Sequence, residues 1–132
     1  MTSCLDLMRQ VYAIAGQGRW DEVEGLLSDN LVIYEPESLP YGGEWRGRDA
    51  LRRLYAEVMS YWADPQVTVR SIVGDEEWSV ALLDFAMTAR ATGDRFTTHV
   101  AEASRAEDGK IVEMRIHYFD TADLLRRMGS IG

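Results

Sequence analysis

Glu35 stands directly before Pro36, at the end of the run Leu31-Val32-Ile33-Tyr34-Glu35. Strand alternation places it on one face with Leu31 and Ile33, which predicts a partly desolvated carboxylate. Desolvation raises a carboxyl pKa and makes a better base near neutral pH. His99 and His117 are the only histidines, and an imidazole can serve as acid, base or hydrogen-bond donor near neutrality. They flank the hairpin signal Asp108-Gly109, which would set them almost opposite each other on neighbouring strands. Asp84 interrupts the apolar run 80–87, where a buried carboxylate must be paired or functional. Arg70 or a histidine across the sheet would be its partner. The chemistry these four residues share is proton transfer, so Glu35, His117, His99 and Asp84 are the catalytic candidates. The histidines with Glu35 or Asp84 also write out as a two-histidine, one-carboxylate metal set. No short-spaced ligand motif accompanies it, and neither a metal nor a cofactor is expected.

Such groups need a wall around them. Tyr12, Tyr41, Trp62, Tyr118 and Phe119, with Met59 and Met87, are the candidates for binding an apolar substrate. Trp45, Tyr55 and Trp78 are read as structural. Cys4, the single cysteine, sits near the start of the chain and reads as an incidental thiol; alone it excludes an intramolecular disulfide and a multi-cysteine zinc site.

The elements that must position these residues follow from periodicity. Leu5, Met8, Val11, Tyr12 and Ala15 recur at helical spacing, and Gly16 and Gly18 close that helix. A second, shorter helix carries Trp20, Val23, Leu26 and Leu27 on one face, with Asp21 and Glu22 in its first turn, and ends at Ser28-Asp29-Asn30. The strand 31–35 comes next. A shaped loop over 38–47 then leads to a third helix from about 49 to 62, with Pro65 at its exit. From there the period changes to two. Segments 67–73, 78–90, 95–105 and 110–119 read as four strands joined by short hairpin turns. Asp120-Thr121-Ala122-Asp123 opens a last helix that runs to Met128 and stops at Gly129.

The order ααβαββββ predicts an α+β domain over residues 1–132: a cone-shaped, curved antiparallel sheet packed against three helices from the N-terminal half, with a short C-terminal helix, enclosing one pocket. Bulk composition agrees. A hydrophobic fraction of 46% and a charged fraction of 27% are ordinary for a globular chain. A net charge of −8 argues against a nucleic-acid or anionic-membrane surface. The start of the chain lacks a signal-peptide pattern and no apolar stretch reaches membrane length, so a cytoplasmic location is expected.

Four strings carry a resemblance to a known superfamily: Tyr12 with Gly18-Arg19-Trp20, Tyr34-Glu35-Pro36, Gly43-Glu44-Trp45-Arg46-Gly47, and Asp108-Gly109-Lys110-Ile111 leading to Tyr118-Phe119-Asp120. In this order the chain resembles the nuclear transport factor 2-like fold, and within it the SnoaL-type polyketide cyclases and ketosteroid isomerase relatives. That resemblance implies a base at Glu35, since an acidic residue before proline at the end of the first strand fills that role in the isomerases. It also implies a tyrosine on the first helix and a protonated aspartate on a sheet strand, both steadying an enolate. By spacing those positions fall at about Val11 and Ala101, which cannot donate from their side chains.

Limonene epoxide hydrolases, another branch, keep a catalytic aspartate near the place of His117. They also use an Arg-x-Asp pair on a strand placed like that of Asp84, but Leu82 stands where the arginine would be. Compared with family spacing, the segment from Gly109 to Asp120 is longer by one residue. A bulge near Arg115 or Ile116 would turn His117 and Phe119 inward; without one, His117 lies on the other face. The expected function is a cofactor-independent acid–base enzyme acting on a small, apolar, carbonyl-bearing, polyketide-like molecule by isomerisation, aldol-type cyclisation or dehydration. The alternatives are a non-catalytic binding or assembly module and an epoxide hydrolase. Relatives often pair through the outer sheet face, so a homodimer is expected, with Val69, Phe85, Phe96 and Val100 as its apolar patch.

Overall fold

The computed structural model describes residues 2–129. The first helix, α1 (Cys4–Ala15), is capped by Ser3, whose hydroxyl accepts a hydrogen bond from the Asp6 amide at 3.1 Å. Cys4, Leu7, Met8 and Val11 recur at three- and four-residue spacing and are buried. The one-turn α2 (Trp20–Glu24) seats Val23 in the same core. In α3 (Ala50–Val58), Ala50, Leu54 and Val58 face the body. The last helix, α4 (Thr121–Arg127), is capped by Asp120, which accepts from the Asp123 amide.

The strands are β1 (Leu27–Glu35), β2 (Gly43–Arg46), β3 (Trp62–Gly74), β4 (Trp78–Ala89), β5 (Arg95–Glu107) and β6 (Lys110–Tyr118). They form one curved, unclosed sheet in the order β2-β1-β6-β5-β4-β3. Antiparallel hairpins join β3 to β6 in sequence, as the period-two patterning predicts. The β5–β6 turn places Asp108 and Gly109 at φ 52° and 74°, the left-handed pair of a type I′ hairpin.

Four expectations of the elements need correction. The second helix stops at Glu24, and Leu27 already opens β1, so the first strand is longer than 31–35. The sheet is mixed, because β1 runs parallel to β6. Segment 43–46 is a strand paired to β1, not loop. The third helix stops at Val58, and β3 begins at Trp62 and runs through Pro65; Pro is tolerated there because β3 is an edge strand. Nor is the start of the chain frayed at Cys4. Its thiol is fully buried and donates to the Ser104 carbonyl at 3.3 Å, and burial pushes its pKa up, which makes it unreactive.

The core lies between the concave sheet face and the helices. Trp62, Tyr41, Met8, Leu27, Leu31, Ile33, Met87, Ile111, Met114 and Leu124 are its largest fully buried members. No helix among the described residues is long and apolar enough to cross a membrane.

Candidate active site

Antiparallel register decides which side chains share the concave face. Leu83 pairs with Val100, Ala81 with Glu102, and Val100 with Tyr118, and directly opposed residues project to the same side. On β6 the extra residue falls at Val112: Arg105 faces Glu113, but Ala106 faces Ile111. This bulge comes earlier than expected. Beyond it, Met114, Ile116 and Tyr118 point inward and Arg115 and His117 point outward.

That single shift redistributes the candidates. His117 and His99 are exposed on the convex face, so neither reaches the interior. Asp84 is opposite His99 and on the same outer face. Its carboxylate accepts from Arg70 and sits 2.8 Å from His99 Nδ1, and these partners hold its pKa below the usual range. It does pair across the sheet, but outside the cone. Phe119 is 84% exposed and forms no part of a wall. Tyr41, Trp62 and Met87 are buried in the core and Met59 is half-buried; none of the four lines the cavity.

Glu35 remains, and a second carboxylate joins it. Leu31, Ile33 and Glu35 alternate inward along β1, and Glu35 is 6% exposed. Its Oε2 accepts from the Tyr118 hydroxyl at 3.4 Å. Its Oε1 is buried with no hydrogen-bond partner among the described residues. Burial pushes the Glu35 pKa up to about 8, the neighbouring Glu102 carboxyl adds to the rise, and the Tyr118 hydrogen bond opposes it.

Glu102 faces inward from β5 and accepts from the Tyr12 hydroxyl of α1 at 2.7 Å. Burial raises its pKa against that hydrogen bond. Burial and the adjacent Glu102 raise the pKa of Tyr12 in turn, which keeps the phenol protonated and donating. The register corrects the spacing match by one residue at each end. Tyr12, not Val11, and Glu102, not Ala101, supply the inward donor pair that the sequence comparison found missing. The signal was present in the alternation of β5: Phe96, Thr98 and Val100 are buried, and the next residue of that parity is Glu102. Choosing His99 as inward-facing hides it, because 99 and 102 have opposite parity.

Tyr12, Glu102 and Gln66 bring polar side chains to the wall of a cavity of about 420 Å³. Val11, Leu51, Leu83, Phe85 and Met114 give it apolar walls, and Trp20 and Tyr55 flank it with rings 5.4 Å apart. Tyr55 is therefore a wall residue as well as a structural one. Glu35 is not on the wall and lies behind it, within electrostatic reach of Glu102. Among the described residues, no arginine, lysine or histidine lines this cavity. Two neighbouring carboxyls, one on the apolar wall and one behind it, without a counter-cation in the lining resist ionising together, which favours their protonated forms. The arrangement can donate a hydrogen bond to an oxygen and accept a proton.

Among the described residues, no group of three or more His, Cys, Asp and Glu is placed to hold a metal ion. A second hollow of about 340 Å³ lies on the outer seam between β1 and β6 beside Tyr34, Arg105 and Lys110, and its charges are paired or solvated. Val69 and Phe85 line the inner cavity and Phe96 and Val100 are buried, so the four residues expected on the outer apolar patch face inward instead. The exposed apolar side chains of the convex face are Val73, Trp78, Val80 and Leu82, with Phe119 beyond the end of β6.

Comparison with known proteins agrees with this architecture. An NTF2-like protein of unknown function from Burkholderia pseudomallei superposes with a TM-score of 0.85 at 23% identity, over 97% of this chain and 98% of that one. TerC, co-crystallised with polyporic acid, gives 0.81 at 15% identity over 93% and 95%. A protein of ketosteroid isomerase-like fold from Catenulispora acidiphila, in complex with trimethylamine, gives 0.75 at 13% identity over 97% and 95%. Similarity at these identities establishes the shared fold. No curated protein matches the sequence. The family model of the SnoaL-like domain matches residues 8–114. The chain belongs to the SnoaL-like domain family and has the nuclear transport factor 2-like fold.

Proposed function

We propose that the protein is an acid–base enzyme for a small, uncharged, mostly apolar molecule bearing a carbonyl group, and that its own carboxyls supply the chemistry. The observation that carries this reading is the pair Glu35, buried, and Glu102, half-buried on the cavity wall, both raised in pKa, with Tyr12 donating beside the cavity. A substrate oxygen entering between Tyr12 and protonated Glu102 would displace the hydrogen bond between them and gain both donors as it takes on negative charge. Glu35, behind the wall in this structure, is the proposed proton acceptor, and the wall in front of it must shift for the substrate to reach it. A group titrating near 8 is partly ionised at neutral pH and still basic, which suits proton removal next to a carbonyl.

The apolar walls favour a cyclic or polyketide-like skeleton, and the acidic interior disfavours anionic substrates. Isomerisation, aldol-type cyclisation and dehydration all begin with such a proton removal. The small organic molecules held by TerC and by the Catenulispora protein support a ligand site in this fold. The acting form is proposed to be a homodimer joined through the convex face around Val73, Val80 and Leu82.

The reading is tested by hydrogen–deuterium exchange at the carbon next to the carbonyl, followed by NMR in D2O over a panel of neutral cyclic enones and their carboxylate analogues. The expected result is exchange of neutral members only. It should be abolished in Glu35→Gln, reduced about 10²- to 10³-fold in Glu102→Gln, and unchanged in His117→Ala. Full exchange in Glu35→Gln would overturn the assignment. Ligand binding without exchange would point to a carrier.

A further inference from the structure

We infer that Ile116 is the partition between the cavity and Glu35, a specificity-determining side chain that must be displaced before a carbon of the substrate can meet the base. The inference rests on the reading of Glu35 as the base.

The position follows from register. Glu102 pairs with Ala81 on β4 and with Ile116 on β6. On the other flank of β6 the parallel pairs are Ile33 with Met114 and Tyr34 with Arg115, so the next step sets Glu35 beside Ile116. Glu35 in turn pairs with Gly43 of β2. One row of the concave face therefore reads Ala81, Glu102, Ile116, Glu35, Gly43, and residues in such a row project to the same side. Neighbouring strands lie about 4.8 Å apart, which places the backbones of the two glutamates roughly 10 Å from each other with a single strand between. Each carboxyl has a small residue on its far side, so Ile116 is the bulky neighbour that both share.

The adjacent rows offer no other candidate. Met114 stands between Ser104 and Ile33, and Tyr118 pairs with Val100. The cavity reaches Glu102 and Met114 but neither Ile116 nor Glu35, and Ile116 is only 6% exposed. The closed side of the cavity thus coincides with this residue. A β-branched side chain is stiff about χ1, so Ile116 keeps the partition shut until a ligand displaces it.

The far side of the partition is polar and incompletely satisfied. Glu35 Oε1 is buried with no hydrogen-bond partner among the described residues, and Oε2 accepts from the Tyr118 hydroxyl. The other titratable groups near Glu35 are Glu102 from β5 and Tyr41 from the turn between β1 and β2. Alanine at position 116 would remove the branched end of a side chain that separates two carboxyls. The space left has Glu35 Oε1, Glu102 and the Tyr118 hydroxyl as polar neighbours, enough to hold a water. In the wild type a substrate enters that space only when Ile116 swings aside.

The test follows the side-chain carboxyls by 13C NMR in the full chain labelled at glutamate Cδ, from pH 5 to 10. Glu35 and Glu102 are assigned by the signals lost in Glu35→Gln and Glu102→Gln. In Ile116→Ala the Glu35 midpoint should fall by about one pH unit, a tenfold stronger acid, because water relieves the burial that raises it. Ile116→Val should move it the same way by less, and serves if the alanine variant fails to fold. Leu31→Ala is the control: it truncates a fully buried side chain on the same face of β1 outside the row, and should leave the midpoint in place. In the Ile116 variants kcat for deuterium exchange of the neutral enones should rise about two- to tenfold, the cost of holding a side chain off its rotamer. KM should change little, because Tyr12 and Glu102 still hold the oxygen. The gain should be larger for enones with a methyl on the reacting carbon, which need the wider opening. A midpoint unmoved in the Ile116 variants, an equal fall in Leu31→Ala, or no rise in kcat would overturn the inference. The titration reads Glu35 whether or not it is the base. A midpoint that falls as expected alongside undiminished exchange in Glu35→Gln would leave the partition standing and remove the catalytic reading.

Discussion

Glutamine at position 35 should stabilise the fold in alkali and change it little in acid. The carboxyl moves from an ordinary 4.5 in the unfolded chain to about 8 in the folded one. Below 4.5 it is protonated in both states and contributes nothing to the difference. Between 4.5 and about 8 the unfolded chain ionises and the folded chain does not. The folded state then binds more protons, and stability falls as pH rises. Above about 8 the whole penalty is present. At about 1.4 kcal/mol per pH unit, that interval corresponds to at most about 5 kcal/mol. Glu102 shares the strain and water reorganises around an ionising group, so roughly 2–4 kcal/mol is the working figure. Glutamine copies the protonated carboxyl in shape and still accepts from Tyr118. Urea unfolding at fixed pH values from 5 to 9, followed through the four tryptophans, measures the effect. The wild type should lose stability steadily over this range, and the variant should show a shallower slope, the remainder belonging to Glu102. Parallel curves for the two proteins would refute the argument, because they would mean that Glu35 ionises in the folded chain as easily as in water.

Two further outcomes follow from packing. Gly42→Ala should destabilise by about 2–3 kcal/mol, seen as a lower Tm, because the new methyl meets backbone on two sides: Pro36 O at 2.1 Å and Glu37 Cα at 2.7 Å. An unchanged Tm would show that the turn opens at no cost. Leu82→Asp places a charge in the middle of the exposed apolar strip of the convex face. It should convert the proposed dimer to a monomer in sedimentation without altering the unfolding curve of the chain; a wild type that sediments as a monomer at tens of micromolar would refute the convex-face pairing.

Much of the architecture was legible in residue types alone. Helical spacing in α1 and α3, the switch to period two after Pro65 and the turn at Asp108-Gly109 are local signals, set by neighbouring residues in the chain. Glu35 could be placed for the same reason: its strand neighbours Leu31 and Ile33 settle its face without reference to any other strand. Segment 43–46 escaped because a four-residue edge strand beside glycines carries little periodicity, and its identity comes from pairing with β1.

The histidines and Glu102 mark the other side of that line. Each sits on a strand of unambiguous type, yet which face looks inward is settled by packing across the sheet. On β6 the extra residue is taken up at Val112, not near Arg115, which leaves His117 on the convex side. On β5, packing buries Phe96, Thr98 and Val100, so His99 faces solvent and Glu102 meets Tyr12. By itself, then, the sequence determined the elements other than β2, their order and one buried carboxylate. The tertiary structure decided the partner of that carboxylate, because alternation is a local property and register is settled only by packing across the whole sheet.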